Sequence, residues 1–356
     1  MKIAIDVSQM CYEGTGVARY IRGLTKGLLD LNTSHEFLLY AGTFRQKAFF
    51  ENLKTQSPWD QADWKILPLP PKIASIALGT LSIPIETLIG KVDIFHSSDW
   101  AEPTTRVPSV TTVHDLVFVK YPETVDRLIL NAQTKRLKKI VKNNCAIIAD
   151  SKSTKNDLVE IFNIKPSRIE VVYPGIDPRY TPQSSTEIER VKTKYNLPEK
   201  YILSLGTQEP RKNISRLIDA VKELDVPLVI AGKHGWGNKT KSLGYVDDLD
   251  LPGLYGGASV FAYPSLYEGF GFPVLEAMAC GTPVVTSNIS SLPEIAGDAA
   301  ILVDVKSVES IRTGISTAMV NRSTLIEYGL KQSQKFSWAN TAKQTLEVYE
   351  KTANRS

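Results

Sequence analysis

One block of the 356-residue chain gathers several groups that can do chemistry: Pro264-Ser265-Leu266-Tyr267-Glu268-Gly269-Phe270-Gly271-Phe272-Pro273-Val274-Leu275-Glu276. It reads as a strand end, a glycine-containing loop and a helix opening near Pro273, because proline suits a first helical turn where its missing N–H costs nothing. The N–H groups of Phe270 and Gly271 then sit at a helix N-terminus, a position that favours an anion. Glu268 precedes the loop and Glu276 lies one turn inside the helix. Carboxylates suit vicinal hydroxyls, since each accepts two charge-assisted hydrogen bonds. A lone glutamate would be read as a solvated charge; two in one glycine-bearing block call for a joint reading.

Three further places bear on chemistry. Gly206-Thr207-Gln208-Glu209-Pro210-Arg211-Lys212-Asn213 follows an apolar run, and a turn at a strand's carboxyl end is where doubly wound sheets bind phosphate. Arg211 offers a fork to an anion and Lys212 a mobile point charge. Gly14-Thr15-Gly16-Val17-Ala18-Arg19 follows the first strand and resembles the start of a dinucleotide fingerprint, but Arg19 stands where the third glycine belongs, and a plain turn explains it equally well. His114, in Val113-His114-Asp115-Leu116, ends a central strand and faces the crevice expected there. His96 also ends a strand and is a candidate acceptor-side residue, while His35 and His234 read as surface loop residues. Asp248-Leu249-Asp250 matches an Asp-x-Asp metal pattern, but Asp248 or Asp250 is read as capping a short helix, so no metal ligand is assigned.

Such side chains need a frame, and the apolar patterning supplies one. Runs at Ile3–Val7, Phe37–Tyr40, Val92–His96, Ser109–Val113, Ala146–Ala149 and Ile169–Val172 alternate with helix-period stretches at Gly16–Leu31, Thr124–Lys142 and Ser153–Phe162. That alternation predicts a parallel sheet covered by helices. A second series follows, with strands at Tyr201–Leu205, Leu228–Ala231, Lys241–Tyr245, Ser259–Ala262, Pro283–Val285 and Ala300–Leu302. Helices are expected between them at Ile214–Glu223, Leu249–Tyr255, Pro273–Ala279 and Leu292–Ala296. The turn-rich stretch around Tyr173–Ser185 separates the series. The expected fold class is therefore α/β, with two Rossmann-like doubly wound domains, residues 1–180 and 181–338. The last helix, within 339–356, is expected to return to the first.

Composition excludes other classes. An apolar share of 42% and a charged share of 22% are those of a globular protein. The net charge of +4 falls within residues 1–180, too small an excess for a nucleic-acid binder. Cys11, Cys145 and Cys280 show no metal or disulfide spacing, which fits a reducing cytoplasm. No run of about 18 apolar residues is present, and the start lacks the pattern of a signal peptide. Lys135-Arg136-Leu137-Lys138-Lys139 makes helix 124–142 basic, with Leu128, Ile129, Leu137, Ile140 and Val141 as its apolar side. Packing on the sheet with lysines in water is the simpler reading; peripheral contact with an anionic inner leaflet is the alternative.

Glu268 and Glu276, with seven residues between them, resemble the Glu-x7-Glu signature of family-4 glycosyltransferases, retaining enzymes of the GT-B fold. The likeness extends over nearly the whole chain and implies a nucleotide diphosphate sugar donor. It places Glu276, the backbone near Val246, Leu275 and Arg211-Lys212 on the nucleotide, and Glu268 with Phe270 and Gly271 on the sugar. Lys212 would stabilise the leaving diphosphate, while His114 and the Gly14–Gly16 loop would approach the donor from the first domain. Many members carry arginine where this chain has Thr207, which puts one phosphate contact in doubt. The family is typically metal-independent and needs no cofactor beyond its donor. The sequence around Glu209 and His114 resembles members that use GDP-mannose for surface polysaccharides; the donor is thus GDP- or UDP-linked and the acceptor a glycan or lipid-linked glycan. A sugar phosphorylase, a nucleotide-sugar epimerase and a non-catalytic binding module remain alternatives.

Overall fold

Short strands buried on both faces carry the architecture. The computed structural model describes residues 1–68, 82–232 and 242–354. The chain divides into two units. The first comprises Met1–Phe118, Asp126–Gly175 and Ser337–Ser356; the second comprises Val119–Val125 and Ile176–Phe336. The turn-rich residues Thr181–Ser185 thus lie inside the second unit, where Ser184 caps the helix Ser185–Lys194 through Glu187 N–H.

In the first unit a seven-stranded sheet runs in the order β3-β2-β1-β4-β5-β6-β7. Its strands are β1 (Lys2–Asp6), β2 (Glu36–Gly42), β3 (Asp63–Leu67), β4 (Ile94–Ser97), β5 (Ser109–Val113), β6 (Ala146–Ala149) and β7 (Ile169–Val171). Every pairing is parallel. All five residues of β5 are buried, as a central strand with helices on both faces requires. β3 was not expected, because Asp63, Trp64 and Lys65 interrupt any apolar run. It forms an edge, where polar side chains meet water. The final helix, Trp338–Ala353, sends Ala342, Val348 and Tyr349 into the same core as Ile3, Leu24 and Leu39. Each large side chain so buried contributes about 2 kcal/mol.

The second unit holds a five-stranded parallel sheet in the order β12-β11-β10-β8-β9. Its strands are β8 (Ile202–Leu205), β9 (Leu228–Ala231), β10 (Val260–Tyr263), β11 (Val284–Ser287) and β12 (Ala300–Val303). A strand expected at Lys241–Tyr245 is absent from its described residues, Ser242–Tyr245; there Leu243 N–H bonds Ile230 O and Gly244 O accepts from Gly232 N–H, without a strand being formed. Helices Val308–Val320 and Arg322–Ser333 were not anticipated. The first is rich in β-branched and hydroxyl side chains, which blur a helical pattern, yet it buries Ile311, Ile315 and Ala318.

Both sheets reverse strand order once, between β1 and β4 in the first and between β8 and β10 in the second. Doubly wound sheets open a ligand crevice at such a reversal, beyond the strands' carboxyl ends.

Candidate active site

The second unit's reversal point collects the residues singled out above. β8 ends at Leu205, and Gly206 turns the chain at φ +140° toward the short 3-10 turn Pro210–Lys212. β10 ends at Tyr263, and the loop after it carries Glu268. The two loops meet in one buried cluster. Lys212 Nζ donates to Glu268 Oε1 at 2.7 Å and to the Tyr263 hydroxyl at 2.5 Å. The Tyr263 hydroxyl in turn donates to Glu268 Oε1 at 2.9 Å. Arg211 pairs with Glu268 Oε2 at 2.6 Å, donates to Tyr267 O at 2.8 Å and reaches Glu209 at 3.2 Å. The side chains of Arg211 and Lys212 are each 12% exposed.

Burial raises the Glu268 carboxyl, but Arg211 and Lys212 more than reverse this and bring it down to about 2. It is therefore ionised at any working pH. Burial and the neighbouring Arg211 charge lower the Lys212 ammonium. Buried ion pairs are a weak source of stability, because desolvation cancels most of the attraction. Arg211 and Lys212 meet two carboxylates, Glu268 and Glu209, so the buried cluster is balanced in charge and holds two cations in fixed positions, the kind of preset group that stabilises an anion.

The frame around the trio is equally specific. Ser290 Oγ accepts from Glu268 N–H, and Ser291 Oγ shares its one proton between Glu268 O at 2.9 Å and Phe270 O at 2.8 Å. Gly271 caps the helix Phe272–Ala279 at φ +113°, with Pro273 in its first turn. Glu276 on that helix is 2% exposed and accepts from the Tyr255 hydroxyl at 2.8 Å. Leu275 is fully buried, and Val246 and Phe270 are each 4% exposed.

In the first unit, Gly14 turns at φ +81° and Gly16 opens the helix Gly16–Leu29, with the Thr15 side chain as its cap; this loop is exposed. His114 follows β5, its Nδ1 2.7 Å from Asp150 Oδ2.

Several expectations are corrected. His96 does not offer its ring to a ligand: it is 3% exposed, with Nδ1 bound to the Tyr349 hydroxyl and Nε2 to Thr112 Oγ1. Burial lowers it to about 3, so it stays neutral. His35 does lie in a loop, where its ring bridges the Met1 amino group and Glu350. His234 lies outside the described residues. Asp250 makes no side-chain cap, because Arg190, Lys194 and Tyr195 hold its carboxylate at 2.5–2.7 Å. In the basic helix, Arg136 is buried rather than solvated, paired with Asp99 and bonded to Thr112 O, while Leu128 and Val141 are exposed. Among the described residues, no cluster of three or more His, Cys, Asp or Glu could hold a metal ion, and no helix is long and apolar enough to cross a membrane.

Comparison with known proteins bears directly on this arrangement. Residues 14–180 match the family described as Glycosyltransferase Family 4, and residues 185–335 match Glycosyl transferases group 1. O-antigen chain mannosyltransferase B of Escherichia coli is 31% identical, over 98% of this chain and 99% of its own length. The chain belongs to the family-4 glycosyltransferases. A second relative, the serotype-specific mannosyltransferase WbdA of Escherichia coli, is 35% identical over 57% of this glycosyltransferase, which spans 28% of it. Among solved structures, Anabaena HepE in complex with UDP and glucose superposes with a TM-score of 0.74 at 19% identity, over 99% of this chain and 100% of that one. The fold is thus GT-B, with two Rossmann-like sheets.

Sequence reasoning on this glycosyltransferase missed Tyr263, Ser290, Ser291, Tyr255 and Asp150. Tyr263 and Asp150 had a usable signal, since each closes an apolar run at a strand's carboxyl end. The two serines had none; folding alone brings them to Glu268.

Proposed function

We propose that this glycosyltransferase moves a mannosyl group from GDP-mannose to a glycan or lipid-linked glycan, with retention and without a metal ion. The Arg211–Lys212–Glu268 cluster at the reversal point of the second sheet carries the reading. Its two fixed cations suit a diphosphate, and the mannosyltransferase relatives favour the sugar. On this reading Glu276, the backbone at Val246 and the helix end at Phe270–Gly271 bind the donor. Leu275, buried as it is, shapes the floor beneath it.

The bond between the anomeric carbon and the diphosphate oxygen breaks, and its electrons remain on the phosphate. Lys212 and Arg211 stabilise that growing charge more than they do the bound donor. The acceptor hydroxyl attacks from the same face and gives its proton to the departing phosphate. Donor choice rests on a few hydroxyl and base contacts.

Melting of the purified protein with GDP, UDP, ADP and dTDP, each with and without EDTA, tests the donor. A ligand at about 100 times its Kd adds roughly 2.7 kcal/mol. A GDP-selective rise that survives EDTA, with sugar transfer from GDP-mannose and an α-linked product, is the expected result. Shifts with UDP alone would overturn the donor assignment, and loss of transfer in EDTA the metal independence. Phosphorolysis or donor epimerisation without transfer would identify the closer relatives instead.

A lipid-linked acceptor would bring the protein to an anionic leaflet. Exposed Lys135, Lys138 and Lys142 beside exposed Leu128 on the helix Arg127–Lys142 suit that surface. Vesicles rich in anionic lipid should sediment the protein at low salt and release it at high salt; equal binding to neutral vesicles would count against this.

A further inference from the structure

Asp150 is a buried carboxylate to which the reaction above assigns no part. It directly follows β6, is 3% exposed, and joins His114 Nδ1 through Oδ2 while Oδ1 is buried without a hydrogen-bond partner. An acid left half-satisfied inside a sheet edge is costly and calls for an explanation. The residue it meets is held elsewhere as well, once at its ring and once at its backbone. The Tyr20 ring packs edge-on against it with centroids 4.7 Å apart, and Thr154 Oγ1 contacts the His114 carbonyl at 3.4 Å. Tyr20 is itself tied to Thr112 Oγ1 at 3.2 Å. The ring is thus engaged through Nδ1, and Nε2 is the nitrogen left to meet a ligand.

The charges that act on His114 and Asp150 come from several neighbouring elements. Asp99 and Asp115 lie in the loops after β4 and β5, Arg136 on the helix Arg127–Lys142, and His96 on β4. Arg136 is paired with Asp99, and His96 is neutral. Burial disfavours a charged His114, but the charge and hydrogen bond of Asp150, helped by Asp99, outweigh it and raise the ring to about 9. A histidine so held is a poor base at neutral pH and a strong hydrogen-bond donor.

We propose that Asp150 is a positioning residue: by accepting from Nδ1 it fixes the His114 ring and makes Nε2–H a charged donor to an oxygen of the bound sugar. This rests on the reading of His114 as a donor-sugar residue. It also assigns the acceptor's proton to the leaving phosphate rather than to the histidine. Activity that depends on this donor is present below the folded value and is lost as pH rises through about 9.

The test joins a spectroscopic and a kinetic arm. In protein with 15N-labelled imidazoles, the His114 signal, assigned by its loss in His114→Gln, should titrate near pH 9. In Asp150→Asn the carboxylate is gone and burial remains, so the midpoint should fall below neutrality. The basic limb of kcat against pH should move down with it, making the variant's loss about tenfold greater at pH 8 than at pH 6. Asp150→Glu should restore part of the original profile. A His114 titration unmoved in Asp150→Asn, or a loss of equal size at every pH, would overturn the proposal. If the unmodified protein transfers no sugar, the proposed function fails, while the titration arm still decides the histidine–aspartate pair.

Discussion

Lys212→Ala should lower turnover about 100- to 1000-fold, the usual cost of removing one preset charge at a transition state. Lys212 is expected to matter this much because Arg211, the other cation of the cluster, can compensate only in part. Arg211 is committed to Glu268, Glu209 and the Tyr267 carbonyl, and Tyr263 is held between Lys212 and Glu268. Deleting the ammonium leaves Glu268 with Arg211 alone and removes the mobile cation. The loss should fall mainly on kcat, because charge on the departing phosphate develops only as the sugar leaves. Lys212→Arg should recover little, since the planar guanidinium cannot occupy the pocket of a compact ammonium beside the Tyr263 ring. Turnover within about threefold of the unmodified protein, at saturating donor, would remove Lys212 from the leaving-group role.

Gly232→Ala should cost about 3 kcal/mol of stability and abolish donor binding in whatever remains folded. Gly232 follows β9 at φ +128°, a conformation alanine adopts only under strain. A β-carbon there would stand 2.1 Å from the Gly206 carbonyl oxygen and 2.6 Å from its carbon. Both are backbone atoms, so no side chain can swing away. Gly206 must shift, and Gly206 is the turn beneath Lys212: a β-carbon on it would lie 3.5 Å from Lys212 Cε. For a unit of this size the melting temperature should fall by roughly 6–10 °C. Calorimetry with and without the nucleotide checks both halves. An unchanged melt that still rises on adding nucleotide would show the contact to be soft.

The fold was legible because its strands are short, apolar and buried on both faces. Ser109–Val113, Ala146–Ala149 and Leu228–Ala231 stand in the structure as patterning alone placed them. Legibility failed where burial is one-sided or partial. The edge strand Asp63–Leu67 is half polar, and the helix Val308–Val320 is built from residues with little helical preference that tertiary packing overrides. Polar residues were harder still. Arg136 reads as one more solvated cation in a lysine-rich run, yet it is buried against Asp99. Asp250 reads as a helix cap, yet two cations and a tyrosine hold its carboxylate. Which partner a charge finds is set by residues distant in the chain, and local spacing carries no record of them.

What the sequence by itself determined is the inventory: two series of strands and helices, a glycine loop flanked by Glu268 and Glu276, and a basic pair after the first strand of the second series. Residue type and short spacing suffice for these, because helix starts, strand ends and turns are local events. Tertiary structure decided which members of the inventory act together. It brought Arg211 and Lys212 onto Glu268, bonded Tyr263 to both Lys212 and Glu268, buried His96 and joined His114 to Asp150. The physical reason lies in the parallel sheet. Strands far apart in the chain end side by side at one edge, and burial there lets only paired or hydrogen-bonded charges remain.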